Sequence, residues 1–375
     1  VTLVATLSHR EPFVLPLGEE RNAAFCARDE FGRCDYSDHL MFLRAFYAYQ
    51  RMSDRPFPFC KAHFLSPNTL KMITGVRRQL VYELRRLHII DPNTDAFKDP
   101  ELNRYSNCWP MLQAVIVAGC YPGIGFVRSG NKLRKIRTST EASATLHPGC
   151  IIKRQIVAPA HRSEIINKYA RNGDAEEPKI DYLAFQELSK IDDRLTLRTV
   201  TAVPPLAVVL FAGAIKMKKE ELEHFAIDEI ISTPEALTRS DDEDDDDGLW
   251  NQEEYVLNFE PWLAFRGSFA DVQNILRLRF KIMSYFAEMM KNPSHVDTEE
   301  DKKLLSTIEN ILSEEHRAAG FFECNDLPDF ITQQTSSPQR RTPPLNTMQI
   351  KNTIPTAATN NATLSQQATS ELEVI

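Results

Sequence analysis

No apolar window in this sequence reaches 18 residues, which excludes a membrane-spanning helix of ordinary length from it. The opening, VTLVATLSHREPFVLP, lacks the basic segment and cleavage pattern of a secretory leader and does not read as one. The chain begins in mid-pattern at Val1, as expected of part of a longer polypeptide. Its seven cysteines (26, 34, 60, 108, 120, 150 and 324) are scattered, with no CxxC and no metal-ligand spacing. That pattern fits a reducing compartment and isolated thiols better than a disulfide framework.

Catalytic patterns are equally scarce. GFVRSG at 125–130 satisfies G-x-x-x-x-G, but Asn131 follows, Lys132 comes one place late, and no Ser or Thr succeeds it. The Gly123-x-Gly125 pair meets Arg128 where a dinucleotide fingerprint needs glycine. There is no HExxH and no G-x-S-x-G, and SEEH at 313–316 reads as the solvated face of a helix. SDHL at 37–40 reads as a helix cap, with Ser37 or Asp38 starting the helix, not as a metal or base site involving His39 and His63. No catalytic residue, metal or cofactor is therefore expected in this chain.

Charge is uneven. The net charge is -8, yet seven of the acids form one run, DDEDDDD at 241–247, read as a solvated loop. Between residues 120 and 158 the balance reverses: Arg128, Lys132, Arg134, Lys135, Arg137, Lys153 and Arg154 face Glu141 as the sole acid. On adjoining strands these cations would form a groove for a phosphate backbone, each contact releasing a counterion. Solvated surface and a protein contact stay open for the same patch. Phe126 and Tyr121 could stack bases or belong to the core.

The first 103 residues read helical. Leu40, Leu43 and Phe46/Tyr47 recur at helical spacing, and SPNTLKMITGVRRQLVYELRRLHI is capped by Ser66 with Pro67 in the first turn. Its Leu70, Ile73, Val76, Leu80, Leu84 and Leu87 share one side, while Lys71, Arg77, Arg78, Arg85 and Arg86 take the others. A helix over 106–119, capped by Ser106 or Asn107 and stopped by Gly119, leads into six short strand patterns. These are 125–129, 132–138, 150–157, 181–188, 194–203 and 206–213, with 255–260 returning as a last strand. With few helical crossovers between them, they suggest a small closed or half-closed barrel. Two helices follow: 269–290, with Val272, Ile275, Leu276, Met283, Phe286 and Met290 on one stripe, and 298–319, capped by Thr298 and stopped by Gly320. From Thr332 on, 27 of 44 residues are Ser, Thr, Asn, Gln or Pro, a composition expected to stay disordered.

VATLSHREPFVLP, SDHLMFLRAFYAYQ, FCKAHFLSPNTLKMITGVRRQL, NCWPMLQAVIVAGCYPGIGFV, LHPGCII and TAVPPLAVVLFAG, in that order, resemble the C-terminal accessory region of DExH/DEAH-box RNA helicases. The resemblance implies an α+β chain: a helical ratchet (HA2-like) domain over 1–103, and an OB-fold over 104–260 with an acidic loop at 239–248. A C-terminal helical extension over 261–321 and a polar tail over 322–375 would complete it. A narrower resemblance, carried by NFEPWLAFRGSFADVQNILRLRFKIMSYFAEMMKNPS and LLSTIENILSEEHRAAG, is to the YTH-domain-containing meiotic branch of that family. The insect relative of that branch, of the benign gonial cell neoplasm type, is similar in kind. No tryptophan follows Gly320, so a YTH aromatic cage is not expected. The resemblance implies single-stranded RNA and the RecA-like motor domains of the same polypeptide as partners, a cytoplasmic location, and mRNA regulation in germ cells. ATP and Mg²⁺ would act in the parent if its motor is intact. A non-catalytic scaffold that docks proteins through 262–320 is the alternative it leaves.

Overall fold

A computed structural model describes residues 1–52, 54–127, 133, 135–157, 178–191, 194–218, 222, 225, 255–293 and 295–321. The acidic run, the tail from residue 322, and Arg128, Lys132 and Arg134 lie outside the described residues. All described residues belong to one compact unit, residues 1–333.

The N-terminal helices are α1 (Thr2–Leu7), α2 (Glu20–Gly32), α3 (Asp38–Arg51), α4 (Pro56–Ala62) and α5 (Pro67–Arg86). Ser37 caps α3 by accepting from the Leu40 N–H, and Ser66 caps α5 by accepting from the Thr69 N–H, both as the sequence predicts. Met41, Phe42, Ala45 and Phe46 of α3 pack with Leu70 and Ile73 of α5 around Ala5, Phe13 and Leu65. The apolar stripe of α5 runs out before its end, where Leu87 is exposed.

Helix α6 (Trp109–Cys120) starts one turn later than the polar residues suggest. Cys108 precedes it without a side-chain cap, Pro110 sits in the first turn, and Gly119 lies inside the helix. Strands β1 (Ile124–Val127), β2 (Ile136–Arg137), β3 (Thr145–Leu146), β4 (Tyr182–Ile191) and β5 (Arg194–Val203) form a sheet of order β2-β1-β4-β5-β3. The β3–β5 pair is parallel and the others are antiparallel. The concave face buries Val127, Ile136, Leu146, Leu183, Phe185, Leu197, Val200 and Ala202, making a half-barrel.

Two expected strands are helices. Residues 150–157 form α7 (Ile151–Val157), because the Asp38 carboxylate accepts from the Ile151 N–H and caps a helix that its β-branched residues disfavour. Ile151 then enters the α3–α5 core while Ile152 enters the half-barrel. A Cβ on Gly32 would lie 2.7 Å from Ile151 Cδ1, so glycine at the end of α2 admits that side chain.

Residues 206–213, expected as an interior strand, lie in α8 (Pro205–Phe211) and the turn after it. A short all-apolar run does not reveal its own period. The C-terminal extension fixes α8 at both ends. Glu315 accepts from the Leu206 N–H at 2.7 Å, and Arg279 donates to the carbonyls of Val209, Ala212 and Gly213. A carboxyl group at the start of a helix and a cation at its end match the direction of the helix dipole.

Residues 255–260 form β6 (Tyr255–Glu260), which pairs with β7 (Leu263–Gly267) in a separate two-stranded sheet and does not join the half-barrel. Helices α9 (Phe269–Lys291) and α10 (Glu299–Ala318) begin with capping boxes, Ser268/Asp271 and Thr298/Asp301. Gly320, at φ 76°, takes the left-handed conformation just past α10. On α9 only Val272 and Leu276 are buried; Met283, Phe286 and Met290 of the predicted stripe are exposed. One core cluster holds Leu40, Leu43, Trp109, Val203, Val208, Leu257, Val272, Ile308 and Leu312, so helical block, half-barrel and extension share an interior. No described helix is long and apolar enough to cross a membrane, and the six described cysteines are free thiols.

SEEH is not a solvated face: His316 is buried against Phe321 and Glu315 points at α8. Burial raises the Glu315 carboxyl to about 7 against the lowering effect of the Leu206 and Ala207 N–H groups. A carboxyl raised on folding is protonated preferentially in the native state, so its contribution falls as pH rises from about 4.5 to 7. Glu315→Gln is expected to remove that decline and to raise stability at pH 8 by on the order of 2 kcal/mol. Urea unfolding of both proteins at pH 5 and pH 8 checks this. His316, lowered by burial to about 4, loses stability in the opposite direction below pH 6.5 and cancels in the difference between the two proteins.

Candidate nucleic-acid interface

The cations expected to line one groove divide between different elements. Lys135 is exposed just before β2, and Arg137 is half-buried on β2, opposite Phe126 of β1. Phe126 in turn pairs with Tyr182 of β4, their rings 5.4 Å apart, and Tyr182 meets Phe265 of β7 at the same distance. These aromatics serve packing on the convex side of the sheet. Tyr121 is also engaged, its hydroxyl donating to Glu260 at 3.0 Å.

Lys153 and Arg154 lie on α7, not on a strand beside β2. Lys153 Nζ donates to the Leu146 carbonyl at 3.1 Å. Arg154 makes a two-pronged contact with Asp29 of α2, at 2.9 and 2.6 Å, over the ring of Phe25. Arg154 therefore ties α7 to the helical block. Among the cations of α5, Arg78 and Arg86 are exposed. Arg77 lies 3.6 Å over Phe97 and Arg85 donates to the Thr94 carbonyl.

A second polar cluster, absent from the sequence reading, occupies the seam between helices and half-barrel. Asp38 accepts from the Ile151 and Val200 N–H groups at 2.9 and 3.0 Å. The Thr201 hydroxyl meets Ser37 and His39 Nδ1, at 2.6 and 2.7 Å. Burial lowers His39 to about 3, so it is a neutral structural ring. Arg28 pairs with Glu11 and donates to the Gly149 carbonyl at 2.9 Å. Beside these groups opens a small cavity lined by Glu11, Arg28, His147, Gly149, Arg198 and Thr199, among others. His147 accepts from the Gly149 N–H at Nδ1, which leaves the proton of the neutral ring on Nε2. Burial lowers His147 to about 4, with Arg198, Arg28 and Lys153 acting in the same direction. SDHL, read only as a helix cap, and LHPGCII were the sequence signals that fall at this place; Arg28 and Arg198 stand 170 residues apart and nothing in their spacing joins them.

His295, Asp297 and Asp301 at the α9–α10 turn also lie close together. Asp301 there serves the capping box and pairs with His295, while Asp297 accepts from the Tyr285 hydroxyl. These roles account for the cluster as a turn lock.

Residues 112–215 match the family model described as an oligonucleotide/oligosaccharide-binding (OB) fold. The chain is similar to the ATP-dependent DNA/RNA helicase DHX36 of Homo sapiens, 28% identical over 240 residues, 62% of this chain and 21% of that protein. The Bos taurus protein of the same name gives the same identity and coverage. It is also similar to the DExH-box ATP-dependent RNA helicase DExH3 of Arabidopsis thaliana, 27% identical over 254 residues, 65% of this chain and 19% of that protein. The chain spans about a fifth of the length of these relatives. An α+β chain with an OB-fold at its centre, it is similar over 62–65% of its length to segments of these DNA/RNA and DExH-box helicases.

Proposed function

We propose that this chain is the RNA-engaging accessory region of an ATP-dependent DExH-box RNA helicase that regulates mRNA. The observation that carries the proposal is the OB-fold match inside a longer similarity to DNA/RNA helicases, joined to a surplus of positive charge in the same segment. The partners would be single-stranded RNA and RecA-like motor domains of the same polypeptide, with ATP and Mg²⁺ bound by that motor. The resemblance of 258–320 to the meiotic YTH-type branch supports a cytoplasmic role in germ cells. Holding a strand by its phosphates needs cations and a fixed surface, not catalytic groups, and no sequence motif here supplies the latter.

The purified chain is expected to bind single-stranded RNA weakly, without marked sequence preference and without ATPase activity. Reversing charge at Lys132, Arg134 and Lys135 together should reduce affinity severalfold. The salt dependence should flatten by about 0.7 in logarithmic slope for each RNA phosphate that the variant no longer neutralises. An unchanged slope removes these residues from the interface.

A second reading, a scaffold that docks proteins through 262–320, is favoured by the exposed Met283, Phe286 and Met290. The phosphate loop of the upstream motor separates the two: intact with its lysine for the first, decayed for the second.

A further inference from the structure

The seam cavity holds a set of groups that the fold leaves incomplete. Its volume is about 20 Å³, enough for one water or one phosphoryl oxygen, with the rest of a phosphate at its open side. The Arg198 side chain lines it, half-buried, with no hydrogen-bond or ion-pair partner among the described residues. Its cross-strand neighbour Glu187 forms no ion pair with it. Arg28 is 3% exposed, yet its Nε–H is buried without an acceptor. Thr199, a β-branched residue on the same wall, sits at φ 53° in the left-handed region. Strain of this kind concentrates where a site needs particular backbone geometry.

The opposing charges are already committed. Glu11 is paired with Arg28, and Asp38 is held by two backbone N–H groups. Counting Lys153 beside them, three cations face two carboxyl groups, and His147 adds a neutral Nε2–H donor.

We propose that this cavity is an oxyanion site that takes a phosphoryl group, with Arg198 as its principal cation and the His147 Nε2–H as a second donor. Guanidinium and imidazole side chains lining one opening suit phosphate oxygens, and a charge-assisted pair to Arg198 would supply most of the attraction. The phosphoryl group is either a backbone phosphate of a single strand crossing the seam or free inorganic phosphate. The strand source rests on the RNA reading above; the site itself does not.

The test follows the His147 ring resonances in the full chain during titration with inorganic phosphate, against sodium chloride at matched ionic strength. A saturable shift specific to phosphate, absent in Arg198→Gln, is expected. No phosphate-specific shift in the wild type overturns the site, a result that needs no variant to fold. A shift that persists unchanged in a folded R198Q overturns the role of Arg198. A parallel arm measures binding of a single-stranded oligouridine across a salt series. A slope shallower by about 0.7 in R198Q assigns the site to one backbone phosphate, whereas an unchanged slope beside a phosphate-specific shift assigns it to free phosphate. If the wild type binds no RNA, the proposed function fails and the phosphate arm alone decides the cavity.

Discussion

Trp109→Ala is expected to lower the free energy of unfolding by about 3–5 kcal/mol. The ring stands at the start of α6 and is 3% exposed. Its cluster draws Leu40 and Leu43 from α3, Val203 from β5, Val208 from α8, and Ile308 and Leu312 from α10. Truncation leaves a cavity inside a cluster whose members come from all three parts of the chain. These members are fixed elsewhere, by the α8 clamp and by the β4–β5 hairpin, and cannot close on the space. The loss should therefore appear in one cooperative transition. Denaturant unfolding checks both points. A cost below about 1 kcal/mol would mean that the ring contributes little to the junction.

Asp38→Ala should cost a comparable amount, about 2–5 kcal/mol, for a different reason. Asp38 is 2% exposed, and its two oxygens satisfy the first N–H of α7 and the Val200 N–H of β5. Alanine leaves two buried donors without acceptors, at about 1–3 kcal/mol each. Burial, the largest influence on this carboxyl, pushes its pKa up, with Arg28 acting against it. Asp38→Asn keeps one acceptor and should cost less. Hydrogen exchange localises the effect: the Ile151 and Val200 amides should lose protection first in the alanine variant. Uniform loss across the protein would deny Asp38 its local role.

The helices and their caps were largely legible because their signals are local. Ser37, Ser66, Thr298 and Gly320 each act within one turn of where they stand, and the structure uses all four as the sequence predicts. The strands of the hairpin at 182–203 were legible for the same reason, alternation along a single segment. The misreadings share a cause as well. Residues 151–157 and 205–211 are apolar enough for either structure, and remote side chains chose helix: Asp38 in the first case, Glu315 with Arg279 in the second. SEEH failed likewise, since an amphipathic pattern does not say that a second element covers its polar face.

The candidate site divides the same way. A surplus of six positive charges between residues 120 and 158 is a property of the sequence alone, as is the absence of a nucleotide-hydrolysing motif. Which cations remain available is not. Arg154 is taken by Asp29 from 125 residues away, whereas Arg198, in an ordinary strand pattern, has no partner among the described residues and stands beside Arg28 and His147. Elements with signals inside a single turn or strand, the sign of the charge, and the ordered motifs that resemble a helicase region are legible along the chain. Which charges are neutralised, and which stay open to a ligand, depends on contacts that folding makes. Coulombic and hydrogen-bond partners act over a few ångströms in space, a distance that separation along the chain does not encode.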